Sequence, residues 1–481
     1  MDRPPKPTID SSDDFRTFGK KLVDIIADYH DKTREFPVLP DVRPGYLSRL
    51  LPTEASDHPE SWESICKDFD TAILPGMTHF NSPHFHAYFP TANNYASLMG
   101  DMLSDAFSCI GFSWIASPAC TELEMITMDW LAKSLGMPEA FHHSGPGQGG
   151  GVIQGSMSET ILIAMLAAKH RMLEKHNLNQ VDAASKLVAY GSKQAHSSLE
   201  KGARIAGTQL RLLDIDDKHS MRGEVLESAI KEDKAKGLMP YFVCATLGTT
   251  SLCSFDAIDE ISAVAKQEGL WVNVDAAYAG AALICPEYRY LITNWNGIDS
   301  FALSCNKWLM VTADCAVMFV RDSLDLLKTF NVDPLYLKHQ YQKEAVDFRH
   351  WQIPLCRRFR SLKLWMVFKC YGVAGLQHNI RKQTQQAKLF ENLVKSDSRF
   401  EVVNDVKMGL VCFRLIGDNS LSEELNNRVN EARKIHMSPA KTEKKYFLRL
   451  VVCSRWTVDE DLEFAWNEIQ HHANEILMEQ K

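Results

Sequence analysis

Two apolar runs end in groups able to do covalent chemistry. Trp271-Val272-Asn273-Val274-Asp275-Ala276-Ala277-Tyr278 leads to a carboxylate, and Phe301-Ala302-Leu303-Ser304-Cys305-Asn306-Lys307-Trp308 leads to an amine. An amine at a buried strand end can form a Schiff base. A carboxylate near it can keep a pyridine nitrogen protonated, so that the ring accepts the electrons of a bond breaking at a substrate's Cα. A structural buried ion pair would use the same two residue types, so the chemical reading needs a third part.

That part lies upstream, in Gly149-Gly150-Gly151-Val152-Ile153-Gln154-Gly155-Ser156-Met157-Ser158-Glu159-Thr160, which runs into the apolar-periodic segment Ile161 to Leu173. The glycines read as a turn that lets backbone approach an anion. The first N–H groups of the helix, with the Ser156 and Ser158 hydroxyls, read as a phosphate cradle. Cradle, aspartate and lysine in one strand-and-helix region point together to pyridoxal 5'-phosphate.

The elements that must hold these groups follow from periodicity. Lys186 to Tyr190, Leu210 to Ile215, Tyr241 to Leu247 and Leu270 to Val274 read as strands. Ser197 to Ala206, Glu224 to Lys236 and Ile258 to Glu268 read as the helices between them. This rhythm predicts βαβ units and a largely parallel sheet in an α/β fold. Before it, Phe15, Phe18, Leu22, Ile25, Ile26 and Tyr29 recur at helical steps after the cap candidates Ser11, Ser12 and Asp13. After it, strands Phe400 to Val403, Leu410 to Leu415 and Phe447 to Val452, with helices Ser422 to Ile435 and Val458 to Met478, predict a small α+β domain. The expected division is 1–91, 92–376 and 377–481.

Composition sets the class. The 481 residues are 45% hydrophobic, enough for a large core, and carry a formal charge of −8 with no basic stripe, which argues against nucleic acid or an anionic membrane as partner. Twelve cysteines lie without CxxC pairs or a disulfide-framework spacing, as expected for reduced thiols in the cytoplasm. Met1 to Pro7 shows no apolar signal core, and no run of eighteen apolar residues occurs. His79, His84 and His86 sit close together, but no Cys or carboxylate motif accompanies them, so no metal is expected. The stretch from Phe330 to Asp347 is polar, contains Pro334 and lacks a period, as functional lids and disordered connectors do.

Several long motifs resemble the animal aromatic-L-amino-acid decarboxylases, which are group II pyridoxal phosphate-dependent decarboxylases. They are Phe112-Ser113-Trp114-Ile115-Ala116-Ser117-Pro118-Ala119-Cys120-Thr121-Glu122-Leu123-Glu124, the glycine-rich segment, Gln194-Ala195-His196-Ser197-Ser198, Leu247-Gly248-Thr249-Thr250, Asp275-Ala276-Ala277-Tyr278-Ala279-Gly280, Asn306-Lys307-Trp308 and His350-Trp351-Gln352-Ile353-Pro354-Leu355. The resemblance covers nearly the whole chain. It extends to histidine decarboxylase, tyrosine decarboxylase and the aromatic acetaldehyde synthases, while Tyr278 and Trp308 match the aromatic-substrate branch better than glutamate decarboxylase.

The resemblance implies a fold type I enzyme, a homodimer with active sites at the interface and the N-terminal segment packed on the partner. It implies that Lys307 carries the cofactor, with Met157, Ser158, His196, Thr250, Asp275, Ser304 and Asn306 around it. His196 would stack on the ring, and Tyr336, on a mobile flap at about 330–347, would protonate Cα. Phe80, Tyr88, Phe89, Pro90, Thr91 and Cys356 would receive the substrate, with Ile110 and Phe112 supplied by the other subunit. Three departures bear on the substrate: Ser304-Cys305-Asn306 where dopa enzymes read Asn-Pro-His, Phe80 for Trp, and Cys356 for Gly. The expected reaction is decarboxylation of dopa, 5-hydroxytryptophan or a tyrosine-like amino acid to a biogenic amine. An acetaldehyde synthase, a histidine decarboxylase and a non-catalytic relative are the alternatives.

Overall fold

The structure is a computed structural model and describes residues 6–479. The first five residues of the N-terminal stretch tested for a signal lie outside the described residues. Short, mostly apolar runs alternate with helices, and they assemble into a seven-stranded sheet. Its strands are β1 (Gly150–Gln154), β2 (Leu187–Ser192), β3 (Gln209–Leu213), β4 (Met239–Thr246), β5 (Trp271–Asp275), β6 (Ser300–Ser304) and β7 (Ala316–Val320). They lie in the order β1-β7-β6-β5-β4-β2-β3. β7 runs antiparallel to both its neighbours, and the other adjacent strands pair in parallel. Helices cover both faces, so β1, β2, β5, β6 and β7 are buried at every position. That is why these strands read as continuous apolar runs without alternation.

The expected helices Ser197–Ala206 and Ile258–Glu268 form at those residues. One expectation is overturned. Gly150 and Gly151 do not form a turn at the anion site; they belong to β1, paired with Val320 and Phe319. A Cβ on Gly151 would stand 2.6 Å from the Phe319 ring, and one on Gly150 would stand 2.4 Å from the His143 ring. Gly151 serves close packing within the sheet and Gly150 close packing against the turn that carries His143, and only Gly155 remains in the turn before the helix.

A second sheet is antiparallel throughout: β8 (Phe400–Val402), β9 (Leu410–Leu415), β10 (Ser438–Lys441) and β11 (Tyr446–Val451), in the order β10-β11-β9-β8. With the helices Asn419–Glu431 and Asp459–Glu479 it closes over its own apolar core around Phe390, Phe413 and Trp466. The helix Ser361–Lys395 ties the two sheets together, with a non-helical residue at Gly372 (φ 61°, ψ 174°). At the other end of the chain, Ser11 and Asp14 form a capping box for the helix Ser12–Asp31. Only His30 of that helix is buried, while Phe15, Leu22 and Ile25 face outward.

Candidate active site

In parallel sheets, groups at the carboxyl ends of neighbouring strands converge on one edge. Thr246, Asp275 and Ala302 face one another across β4, β5 and β6, and Gln154, Ala316 and Ser304 do so across β1, β7 and β6. At a strand spacing of about 4.8 Å, the end of β1 lies roughly 10 Å from Ser304. Lys307 follows on the single helical turn Cys305–Trp308, and His196 follows β2. One edge therefore holds the amine, the carboxylate, the imidazole and the start of the Met157 helix.

The charges at this edge are deep. Asp275 is 5% exposed, and among the described residues its carboxylate accepts one hydrogen bond, from the Ala277 N–H at 3.1 Å. Burial pushes its carboxyl up, opposed by the nearby Lys307 ammonium, the Ala277 bond and His196. Burial likewise pulls the Lys307 amine down, with Asp275 opposing. Both groups are driven toward neutrality by desolvation and held toward charge by each other. Among the described residues no side chain makes a hydrogen bond or ion pair to the Lys307 amine, which leaves it free to form a covalent bond.

His196 is the N-cap of the helix Ser197–Ala206: its Nδ1 accepts from the Ser198 N–H at 3.2 Å and lies 2.8 Å from the Ser198 hydroxyl. The capping contact is made at the ring edge and fixes the imidazole plane, leaving its faces available.

At the cradle, Ser156 caps the helix Met157–His176 by accepting from the Glu159 N–H at 3.3 Å, which uses its hydroxyl oxygen as acceptor and leaves the hydroxyl proton without an acceptor among the described residues. The Met157 and Ser158 N–H groups have no protein acceptor among the described residues. The Ser304 hydroxyl donates to the Asn306 side-chain oxygen at 2.8 Å, and the Asn306 carbonyl accepts from the Ala92 N–H at 2.8 Å. Asn306 thus ties the lysine turn to the segment expected to line the substrate pocket. Thr250 is exposed just after β4. Free helix-start donors, a free buried amine and a carboxylate with a spare oxygen form a donor set that fits pyridoxal phosphate.

The aromatic wall begins at Phe89, which stacks on Tyr278 with centroids 3.8 Å apart; Tyr278 stacks on Trp308 at 4.5 Å. Each such pair contributes about 0.5–1.5 kcal/mol beyond area burial. The Lys307 amine stands 5.9 Å above the Phe89 ring. Phe80 packs on Phe85 at 4.5 Å, the Pro90 carbonyl accepts from the Cys453 thiol at 3.6 Å, and the buried Thr91 hydroxyl oxygen has no partner. Tyr88 sits in the left-handed region at φ 61°, a conformation that costs about 1–3 kcal/mol for a residue of its bulk.

A second group lies apart from the first. Ile110, Phe112 and Cys356 occupy adjacent strands of chain, joined by the Gly111 N–H to the Arg357 carbonyl and the Arg349 N–H to the Phe112 carbonyl, each at 3.0 Å. Ile110 and Cys356 are exposed. Tyr336, on the 3-10 turn Leu335–Leu337, is 79% exposed. The base of that loop is anchored at Asp347, which accepts from the Trp114 N–H at 2.8 Å and lies 3.0 Å from His339 Nε2. Among the described residues no hydrogen bond, ring contact or ion pair joins these four residues to Lys307.

The three clustered histidines each have a separate partner. His79 Nδ1 meets the Tyr29 hydroxyl at 2.9 Å, His84 meets Asp461 at 3.2 Å, and His86 Nδ1 lies 3.1 Å from the Val451 carbonyl. Two polar residues at the site were not anticipated. Asp256 accepts from the Met221 and Thr246 N–H groups behind β4, and burial pushes its carboxyl up to about 7. Arg449 is 2% exposed and lies 5.2 Å from the Phe89 ring centre. Its signal in the sequence is a lone cation inside the apolar strand Phe447-Leu448-Arg449-Leu450-Val451.

Residues 44–416 match the family model described as the pyridoxal-dependent decarboxylase conserved domain. The aromatic-L-amino-acid decarboxylase of Rattus norvegicus is 50% identical over 477 residues, covering 98% of this chain and 99% of its own length. Among solved structures, Oryza sativa TDC with PLP and tryptamine is 37% identical with a TM-score of 0.95, over 97% of this chain and 99% of that one. Rhodiola rosea 4-hydroxyphenylacetaldehyde synthase is also 37% identical, with a TM-score of 0.91 over 97% and 99%.

Proposed function

The chain belongs to the pyridoxal-dependent decarboxylase family, and on that premise we propose how its own residues carry out the family's chemistry. It is a pyridoxal phosphate-dependent carboxy-lyase that decarboxylates an aromatic L-amino acid. The observation that carries the assignment of roles is the free Lys307 amine beside buried Asp275 at the edge where the Met157 helix begins.

When bound, the cofactor supplies an electron sink for the bond broken at the substrate's Cα. Lys307 holds it through the amine and yields that position to the substrate's amino group. Asp275 keeps a proton on the ring nitrogen, using the carboxylate oxygen that the Ala277 contact leaves free. The Met157 and Ser158 N–H groups would hold the phosphate, joined by the Ser304 hydroxyl once it turns from the Asn306 side-chain oxygen, with Asn306 and Thr250 beside it. His196, whose ring edge is held by Ser198, would offer a face to the ring. Phe80, Tyr88, Phe89, Pro90 and Thr91 would exclude water around the aromatic side chain, and the buried Thr91 hydroxyl, which has no partner among the described residues, is the polar group a phenol or catechol would meet. Tyr336 delivers the proton to Cα once its loop closes.

The finer reading is a dopa-, 5-hydroxytryptophan- or tyrosine-type substrate released as amine. Tyr336 and His196 are both retained, which supports amine over aldehyde. The similarity to an acetaldehyde synthase makes oxygen-dependent aldehyde formation the second reading.

A homodimer is supported by the outward apolar face of the helix Ser12–Asp31 and by Met99, Met102, Leu103 and Phe107 exposed on the helix Tyr95–Phe107, just before Ile110 and Phe112. Those two residues, Cys356 and Tyr336 then complete the partner's pocket. The working division is 1–91 for dimerisation, 92–376 for the cofactor and 377–481 for the small domain. A cytoplasmic setting agrees with twelve free cysteines, including exposed Cys356 and Cys370. No helix among the described residues is long and apolar enough to cross a membrane.

The test offers purified holoenzyme a panel of aromatic amino acids and histidine, and measures CO2, amine, aldehyde and peroxide together. Amine matching CO2 mole for mole from a phenolic or hydroxyindole substrate is expected; equimolar aldehyde and peroxide would establish the second reading.

A further inference from the structure

Tyr88 is a bulky residue held at positive φ, and it immediately precedes Phe89, the ring that stacks on Tyr278 beside Lys307. Such a conformation persists only where the surroundings over-determine it. The restraint comes from the small domain. Ser438 on β10 faces Arg449 on β11 in the strand register. The Ser438 hydroxyl oxygen accepts from the Tyr88 N–H at 3.1 Å and from Arg449 Nη1 at 2.8 Å. Arg449 Nη2 donates to the Tyr88 carbonyl at 3.2 Å, so both backbone groups of Tyr88 are tied to one pair of facing residues. Arg449 Nε also donates to the Ser251 carbonyl at 3.1 Å, one residue beyond Thr250. No carboxylate lies within ion-pair distance of this buried guanidinium among the described residues. A buried cation kept without a counter-ion, its fork spent on two carbonyls and a hydroxyl, is costly as a purely structural element.

We propose that Ser438 and Arg449 act as a positioning clamp through which the small antiparallel sheet holds Tyr88 and Phe89, and so sets which aromatic side chain the pocket prefers. The inference rests on reading that pocket as the site of an aromatic amino acid. Without the Ser438 hydroxyl, Tyr88 relaxes toward negative φ and Phe89 turns away from Tyr278. The pocket wall loosens while Lys307, Asp275 and the phosphate cradle stay in place.

The test compares wild type, Ser438→Ala and Ser438→Thr as holoenzymes. It uses one phenolic and one indolic amino acid for kinetics, and the two corresponding amines for binding followed by protein fluorescence. In Ser438→Ala the phenol-to-indole ratio of KM, and of the amine Kd, is expected to move by about fivefold toward unity, with kcat for the preferred substrate within roughly twofold, since a loosened wall loses uniform binding. Cofactor absorbance and Tm stay near wild type, and Ser438→Thr, which keeps the hydroxyl, restores the ratio. An unmoved ratio in folded Ser438→Ala overturns the clamp, as does a Ser438→Thr enzyme that behaves like the alanine variant. If wild-type holoenzyme binds neither aromatic amine, the aromatic-pocket reading itself fails and the clamp falls with it.

Discussion

The pole of the site that reacts and the pole that would close over the substrate are built differently. Lys307, Asp275, His196 and the Met157 helix start belong to one sheet edge in one chain; Asp275 is almost fully buried, and all are fixed by backbone register, caps and stacked rings. Ile110, Phe112, Cys356 and Tyr336 lie elsewhere; Ile110, Cys356 and Tyr336 are exposed, and among the described residues no hydrogen bond, ring contact or ion pair joins the four to Lys307. The first pole is finished by folding. On the proposed reading the second is finished by assembly and loop closure, and this is where the choice between amine and aldehyde would be made.

The largest expected effect breaks the first pole alone. Lys307→Ala removes the proposed covalent attachment point and should lower turnover by roughly a thousandfold or more. It should also abolish the visible absorbance that wild type gains when reconstituted with pyridoxal phosphate. An unchanged spectrum and rate would falsify the assignment of Lys307.

The next test asks whether the second pole comes from another chain. Phe112→Ala, inactive or weakened by about tenfold or more by loss of a pocket ring, is co-folded with Lys307→Ala. Each hybrid dimer then has one site with both Lys307 and Phe112. Random pairing makes half the dimers hybrid with one of two sites intact, so roughly a quarter of wild-type activity should return. A mixture no more active than its components would show that the poles do not come together across a subunit boundary.

Legibility in the sequence follows the same divide. Asp275, Lys307 and the serines of the cradle are marked by local pattern, because a strand end or a helix start is a short-range event. The Ser197–Ala206 and Ile258–Glu268 helices were readable for the same reason. Gly150 and Gly151 misled because a glycine required by a neighbouring ring, His143 for the first and Phe319 for the second, looks like a glycine required by an anion. The helix Ser361–Lys395 and strands β7 and β10 left weak local signals, since their partners are distant in sequence. Arg449 and Ser438 were invisible as a pair: their relation to Tyr88 spans about 350 residues. Motif resemblance supplied Ile110, Phe112 and Tyr336, which no periodicity could have singled out.

A smaller effect separates bond breaking from protonation. Tyr336→Phe removes the proton donor proposed for the outer pole and leaves the inner pole untouched. CO2 release should persist within about tenfold, while product shifts from amine toward aldehyde with oxygen consumed, because slower protonation at Cα gives oxygen time to react. Unchanged amine yield in Tyr336→Phe would remove Tyr336 from the mechanism, and with it the claim that the flap belongs to the site.

The smallest expected effect is a displaced pH profile, and it isolates the inner pole from assembly. Only a neutral amine attacks an aldehyde, so the rate at which apo-protein takes up pyridoxal phosphate rises as pH approaches the Lys307 pKa from below. Burial holds that pKa below the usual lysine value, and Asp275 opposes the shift by favouring the ammonium. Uptake should therefore remain fast at pH values where an ordinary lysine would be almost wholly protonated, and should slow as pH falls through the depressed value. Asp275→Asn removes the opposing charge, so the Lys307 pKa drops further and the uptake profile moves to lower pH, even though turnover falls because the ring nitrogen has lost its carboxylate. Phe112→Ala, at the outer pole, should leave that profile where it is. A profile that moves to higher pH in Asp275→Asn, or moves equally in Phe112→Ala, would mean that the amine and carboxylate are not the self-contained pair that the sheet edge presents.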